Sequence, residues 1–466
     1  MTGTRRPIQD RASIGLVAMA LAAATAATVT AYAYWPGLMT WDSVRQYDQA
    51  LSGDIDDWHP PVMEWVWRQL VPIQAGPIPM LLLELAFYWG GLMLVAGAAW
   101  RQDRRRLATA LLACGLLPIG LALTGEILKD VLMAGALLVA AGLLARSERG
   151  PVQVLIAMAL LLFAAMLRFN AFTACLPLLV ALLPETWRNS WPRLALTSLV
   201  GAAVLMAAMP IANRLIGAKS SGVELSLVIF DLGGITHFSG TNAFPAEMHV
   251  PSPIAANARC YQPEKWDSYS YWIDEECPLG FSAWNASVAP HGVKSLPFWL
   301  GAIAAHPLAY SEHRLLHFAI NTRLLPLSDS VERPVQAEGP PNDWGFHVTD
   351  NRVLRVIDGL AVVSAHSPLG WPIVWIALAA GAAIATRGLA CAPLALPLAL
   401  SSLFYGSGYF IFSVASELRY HLWTELAALL ALVLIAAEIR AVPRRRLLWA
   451  FAPACLVTLI AVATRL

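Results

Sequence analysis

Charge is what this chain has least of. Of its 466 residues only 14% are Asp, Glu, Lys or Arg, while 58% are hydrophobic; soluble domains carry about a quarter charged residues. That deficit excludes an ordinary soluble globular protein and points to lipid exposure. The formal net charge of +1 identifies no partner, because the charges are segregated along the chain, and no nucleic-acid partner is expected. Internal repeats and low-complexity tracts are absent too. Cysteine is scarce, with six in all. Cys114, Cys175, Cys391 and Cys455 fall inside apolar runs, where they read as small core residues. Cys260 and Cys277 are the only pair in a polar segment, and a disulfide between them is expected in an oxidising compartment. Lysine is rare beside arginine, and Ala and Leu dominate the apolar runs, a bias common in high-GC bacterial genomes.

What the chain does have is long apolar runs, near 14–34, 77–99, 107–123, 127–145, 152–166, 171–183, 194–216, 371–386, 390–410, 421–437 and 447–464. The first follows Arg5, Arg6 and Arg11 and ends in Tyr32, Tyr34 and Trp35. At roughly 20 residues per crossing it is long enough to span, so it reads as a retained first helix rather than a cleaved signal. The basic loops RQDRRR (101–106), ARSERG (145–150), WRNSWPR (187–193), Arg387 and RAVPRRR (440–446) all fall on the amino-terminal side under an 11-helix count. The positive-inside rule makes that side cytoplasmic. The expectation is an all-α polytopic membrane protein with about 11 transmembrane helices, set in the cell (cytoplasmic or inner) membrane. Residues 1–216 form an amino-terminal transmembrane module, 217–370 a mixed extracytoplasmic segment, and 371–466 the last transmembrane helices.

Two long outward segments result, 35–76 and 217–370. Within the second, residues 295–325 have helical periodicity and a wet face, and read as an amphipathic helix on or near the membrane. The Asn285-Ala286-Ser287 sequon also falls there.

Ionisable groups near a bilayer core cost about 2.5–3.5 kcal/mol at a helix centre, so their positions carry information. Here they gather on the outward side: Glu126, Lys129 and Asp130 in one turn, Arg168 and Asn170 in a second, Glu417, Arg419 and Tyr420 in a third, with Glu84 and Glu425 in the outer parts of their helices. The pattern describes one outward-facing polar cavity. Taken singly, these cations also fit snorkelling anchors, and Glu417 with Arg419 an ordinary ion pair.

The stretch TWDSVRQYDQALSGDIDDWHPPVMEWVWRQL (40–70) is the most specific. Asp42 follows closely on the first helix, where it could cap the next one. Asp54, Asp56 and Asp57 lead to His59-Pro60-Pro61, and read as a solvated loop before a metal site. The proline pair stops one element and presets another, so Val62 to Leu70 reads as a short amphipathic helix along the interface.

An aspartate just beyond the first membrane helix, a short helix, a glycine, and an acidic stretch ending in HPP before an aromatic-rich helix together resemble the GT-C superfamily. These are integral-membrane glycosyltransferases that use polyprenyl-phosphate sugars, among them protein mannosyltransferases and aminoarabinose transferases. The likeness covers roughly the first 100 residues best, with weaker echoes in Lys129-Asp130, LRFN, HPLAYSEHRL and ELRY. It implies a catalytic acid in the first outward loop, carried by Asp42. Many members have paired acids there, whereas Ser43 follows Asp42, which suits a metal-free base; a divalent metal is possible but not favoured, and no other cofactor is implied.

On that reading Asp42 accepts the acceptor's proton. Lys129, Arg168 and Arg419 neutralise the departing lipid phosphate, His59 and Tyr420 position phosphate or sugar, and Asp130, Asn170 and Glu417 support them. The partners are a polyprenyl-phosphate-linked sugar, an acceptor of unknown kind (glycan, lipid or protein) and the bilayer. The rival reading, a transporter or flippase of a lipid-linked or anionic substrate, would call for midplane ionisable or helix-breaking residues and repeat symmetry. Neither is visible.

Overall fold

The computed structural model describes residues 6–146, 148–327 and 338–466, with side chains from residue 14 onward. Arg5 lies outside the described residues. Among those described the protein is helical, with no strand. Among the described residues six helical segments are long and apolar enough to cross a membrane: Ile14–Ala33, Ile78–Arg101, Trp191–Ile216, Ala392–Phe412, Leu418–Ala436 and Arg444–Ala463.

Six is fewer than the eleven expected from apolar runs, and local sequence explains the shortfall. Run 107–123 breaks at Gly115 and Pro118 into two pieces, Arg105–Ala113 and Pro118–Leu123; proline has no N–H to continue the helix and its ring crowds the preceding turn. Runs 127–145, 152–166, 171–183 and 371–386 form helices of 16, 15, 11 and 14 residues. At about 1.5 Å per residue the longest reaches about 24 Å, short of an apolar layer of about 30 Å.

The fold divides into two compact units. Among the described residues the first comprises those of 6–219, 338–406 and 418–458, and the second those of 220–327, 407–417 and 459–466.

In the first unit, α1 (Arg6–Ala33) leads into α2 (Trp41–Ser52) and α3 (Val62–Leu70), followed by α4 (Ile78–Arg101), α5 (Arg105–Ala113), α6 (Pro118–Leu123), α7 (Lys129–Leu144), α8 (Pro151–Ala165), α9 (Phe172–Leu182) and α10 (Trp191–Ile216). α4 and α7 form the tightest pair. A Cβ on Gly91 would lie 2.5 Å from the Leu138 Cβ, and one on Gly142 would lie 2.4 Å from the Leu94 Cβ. Bare glycines let these two backbones approach closely, which lipid-embedded helices need because the hydrophobic effect does not press them together.

At one end of this unit Arg104 pairs with Glu438 at 2.9 Å, so the basic loops 101–106 and 440–446 share an end, as the charge pattern required. At the other end lie α2 and α3.

The second unit holds α11 (Glu224–Ser239), α12 (Pro253–Cys260), α13 (Phe281–Ser287), α14 (Ser295–Ala305) and α15 (Pro307–Asn321). It is helical rather than mixed. The single helix read across 295–325 is two, because His306-Pro307 interrupts it; α14 is apolar after Ser295, and the wet face belongs to α15. Cys260 and Cys277 are joined in a disulfide.

Residues 338–370 group with the first unit. There α16 (Arg352–Ala365) packs Leu354, Ile357 and Ala361 on Ala33, Tyr34, Leu38 and Ala122, and Asn351 Nδ2 donates to the Ala33 carbonyl at 2.8 Å. Helices α17 (Pro372–Ala385), α18 (Ala392–Phe412), α19 (Leu422–Ala436) and α20 (Arg444–Ala463) complete the chain.

Candidate active site

Two backbone pairings build the site. The Leu38 N–H donates to the Gly125 carbonyl at 3.1 Å, and the Ile127 N–H donates to the Leu38 carbonyl at 2.8 Å. The approach to α2 is thereby fastened to the turn that opens α7. Glu84 Oε1 accepts from the Leu128 N–H at 3.1 Å, occupying one of the free donors at the start of α7. Lys129, the next residue, is therefore held where α2 begins.

Thr40, not Asp42, caps α2. Its side chain accepts from the Ser43 N–H, and Ser43 Oγ accepts from the Thr40 N–H at 2.6 Å, a reciprocal arrangement that satisfies two otherwise free donors. Asp42, two residues past the cap in the first turn, is left for other partners. Lys129 Nζ donates to its Oδ2 at 2.9 Å, Arg419 NH1 lies 2.9 Å from the same oxygen, and His59 Nε2 lies 3.7 Å from Oδ1. Lys129 Nζ is also 3.2 Å from His59 Nδ1.

The group continues past Arg419. The Tyr420 ring carries the Arg419 guanidinium on one contact, 5.5 Å from its centroid, and that of Arg168 on another, at 4.3 Å. Arg168 in turn is ion-paired with buried Asp130. Asp42, His59, Lys129, Asp130, Arg168, Arg419 and Tyr420 thus form one chain of contacts at one end of the first unit, drawn from four separate stretches of sequence. Asn170 is buried. Glu417 is half-buried and falls in the second unit.

Three cations against two carboxylates leave this cluster with an excess positive charge. Burial alone would raise the Asp42 pKa, but the Arg419 and Lys129 charges outweigh it and hold the carboxyl well below its usual range. Burial and the neighbouring Lys129 charge push His59 down to about 3, so its imidazole is neutral. A neutral ring with Nδ1 accepting from Lys129 presents its Nε2 hydrogen toward Asp42. Asp42 keeps 22% of its side chain exposed, which leaves the group reachable.

The acidic loop is tied down by ion pairs. Asp56 pairs with Arg45 at 2.5 Å and Asp54 with Lys219 at 2.5 Å. No group of His, Cys, Asp and Glu fit for a metal ion occurs among the described residues.

α3 forms over Val62–Leu70 and buries Val62, Met63, Glu64 and Trp67. Trp67 Nε1 donates to the Gly76 carbonyl at 3.1 Å, and the Gly76 N–H donates to Tyr47 Oη at 2.7 Å. Tyr47 also meets Trp67, Trp344 and Phe346, with ring centroids 5.0, 4.8 and 6.0 Å away. Gly339 packs on the same approach: a Cβ there would sit 2.4 Å from the Met39 carbonyl oxygen.

Glu64 was not singled out from the sequence. It is fully buried in α3, and desolvation pushes its carboxyl up to about 8. The available signal was its helical spacing: Glu64 lies three residues before Trp67 and so shares its inward stripe.

A second buried polar group sits inside the second unit. Asp231 on α11 receives Trp299 Nε1 at 2.7 Å, Arg314 NH2 at 2.6 Å and His313 Nε2 at 3.1 Å. Arg314 NH1 donates to the Ser413 carbonyl at 2.6 Å. All of Asp231, His313 and Arg314 are fully buried, and so many partners for one carboxylate describe a structural tie among α11, α14 and α15.

Compared with family models, curated proteins and solved structures, the chain matches none.

Proposed function

We propose that this protein is a membrane glycosyltransferase that moves a sugar from a polyprenyl-phosphate donor to an acceptor at the outer face of the cell membrane. One observation carries the reading: a carboxylate, Asp42, shares one oxygen with two cations, Lys129 and Arg419, each at 2.9 Å. The likeness of the 40–70 stretch to GT-C enzymes agrees with it.

In the reaction the acceptor hydroxyl attacks the anomeric carbon and gives its proton to Asp42. The anomeric C–O bond breaks, and its electron pair leaves on the phosphate oxygen. Lys129 and Arg419 meet the growing negative charge, with Arg168 behind Tyr420 extending the cationic surface. Before substrate arrives, the same cations make Asp42 a weak base. A bound phosphate draws on their charge and adds its own, so the carboxylate becomes more basic when donor is present. The site is then active only when loaded. His59 faces Asp42 from Nε2 at 3.7 Å and contacts Lys129 at 3.2 Å, lining the site beside the base.

Purified protein incubated with labelled polyprenyl-phosphate sugars should release lipid phosphate in the presence of acceptor. Asp42→Asn should abolish release while the protein still folds. Full activity in that variant would remove Asp42 from the mechanism.

A further inference from the structure

A groove of about 650 Å³ lies among α8, α9 and α10, lined by Gly201 and by leucines and valines such as Leu162, Leu179 and Val204. Its volume falls in the range of ligand sites, about 300–1,000 Å³. A Cβ at position 201 would already crowd Leu176 and Leu179 at 3.3 Å. Several wall residues face outward, Val204 being 50% exposed and Leu196 62%.

The groove is polar at one end only. There Arg193 NH1 donates to the Thr186 carbonyl at 3.2 Å and to Asn189 Oδ1 at 3.1 Å, which holds its guanidinium across the mouth. Arg188 Nε donates to the carbonyl of Leu183, itself a groove residue, at 3.3 Å. Glu185 is the one acid in the connecting segment 184–193, so the mouth is net positive. Trp187 and Trp191 are 55% and 79% exposed beside it, as suits aromatic side chains at headgroup depth.

The chain path places this mouth. α9 starts just after Arg168 and Asn170, at the Asp42 end, and runs away from it. α10 begins at Trp191 and returns to Lys219, which pairs with Asp54. The charged mouth therefore lies at the end of the bundle away from Asp42, in the other leaflet. A donor lipid whose phosphate sits at Lys129 cannot also put it at Arg193.

We infer that the groove is a binding site for an anionic glycerophospholipid, its acyl chain along α10 and its phosphate on Arg193 and Arg188. Apolar walls with one cationic mouth fit an acyl chain attached to a negative head, and basic pockets between membrane helices take anionic headgroups in this way.

The test uses the full-length protein in mild detergent, offered equal amounts of phosphatidylglycerol and phosphatidylcholine of matched chains, with retained lipid counted by native mass spectrometry. Phosphatidylglycerol should be retained roughly fivefold to thirtyfold over phosphatidylcholine, and the preference should shrink as salt rises. Arg193→Gln with Arg188→Gln should bring the two lipids to parity. Val204→Trp, at an exposed wall position, should lower retention of both while melting like the parent protein. Equal retention by the parent protein would overturn the site, as would a preference that survives loss of both arginines. So would undiminished retention in Val204→Trp, which remains informative if the arginine variants misfold.

Discussion

Lys129 Nζ lies 2.9 Å from Asp42 Oδ2, although the two residues are 87 positions apart. That pairing is the joint between the first loop and the helical bundle. Asp42→Asn leaves Lys129 and Arg419 without their shared counter-charge. Removing one partner of a buried pair costs 3–5 kcal/mol, and the partial exposure here lowers the expected loss to about 2–4 kcal/mol. Replacing Lys129 with Met in the Asp42→Asn background should restore part of the loss, because the uncompensated cation goes with it. Thermal unfolding of the parent, both single variants and the double variant measures this; strictly additive losses would show that the pair contributes no coupling. Because the Asp42 pKa is depressed in the folded state, its stabilisation is present above the ordinary carboxylate range and is lost only as pH falls through the lowered folded value.

Tyr420 carries both arginine side chains on its ring. Tyr420→Phe keeps the ring face and should leave donor affinity within about twofold. Tyr420→Leu removes it, and with cation–π contacts of about 0.5–2 kcal/mol the donor KM should rise about threefold to thirtyfold with the acceptor KM unchanged. A donor titration against both variants decides it, and equal behaviour of Phe and Leu would refute the role.

Glu64 gives a pH signature. Its folded pKa is raised from 4.5 to about 8, so the folded protein keeps the proton while the unfolded chain loses it near the ordinary value. Stability therefore falls as pH climbs between those two values and is unaffected below them. Glu64→Gln removes the ionisable group without changing its shape. Its melting temperature should exceed that of the parent at pH 8, by an amount that shrinks toward pH 5. A difference that is the same at both pH values would exclude a titrating Glu64.

How much of this was legible beforehand varied by element. The proline pair and spacing gave α3 its bounds, because proline chemistry is local. Asp42, Lys129, Arg168 and Arg419 could be marked as costly polar groups on one side of the bundle from charge alone. Their mutual distances could not, since they depend on the Leu38 pairing with Gly125 and Ile127, and backbone pairing leaves no mark in side-chain pattern. Glu64 escaped for a related reason: an acid in an amphipathic helix reads as its wet side until the partner helix is known to cover it. The break between α14 and α15 lay in plain view at Pro307, and the polar positions that suggested one amphipathic helix belong to α15 alone.

Cys260 and Cys277 close a 17-residue separation. A cross-link over a loop of that size restricts the unfolded chain by about 3 kcal/mol, so the double serine variant should unfold at lower temperature. Reductant should lower the parent's melting temperature to meet it and leave the variant unmoved; an unshifted parent would mean that the bridge contributes nothing.

The contact between Gly339 and Met39 bears on how inherited or engineered changes in this chain will behave. Residue 339 is remote in sequence from any reacting group, yet even a methyl there would shove the carbonyl immediately ahead of the Thr40 cap. Such a substitution would tilt the start of α2 and swing Asp42 off its cations. A genetic screen would then score a harmless-looking glycine in a connector as harshly as the aspartate itself.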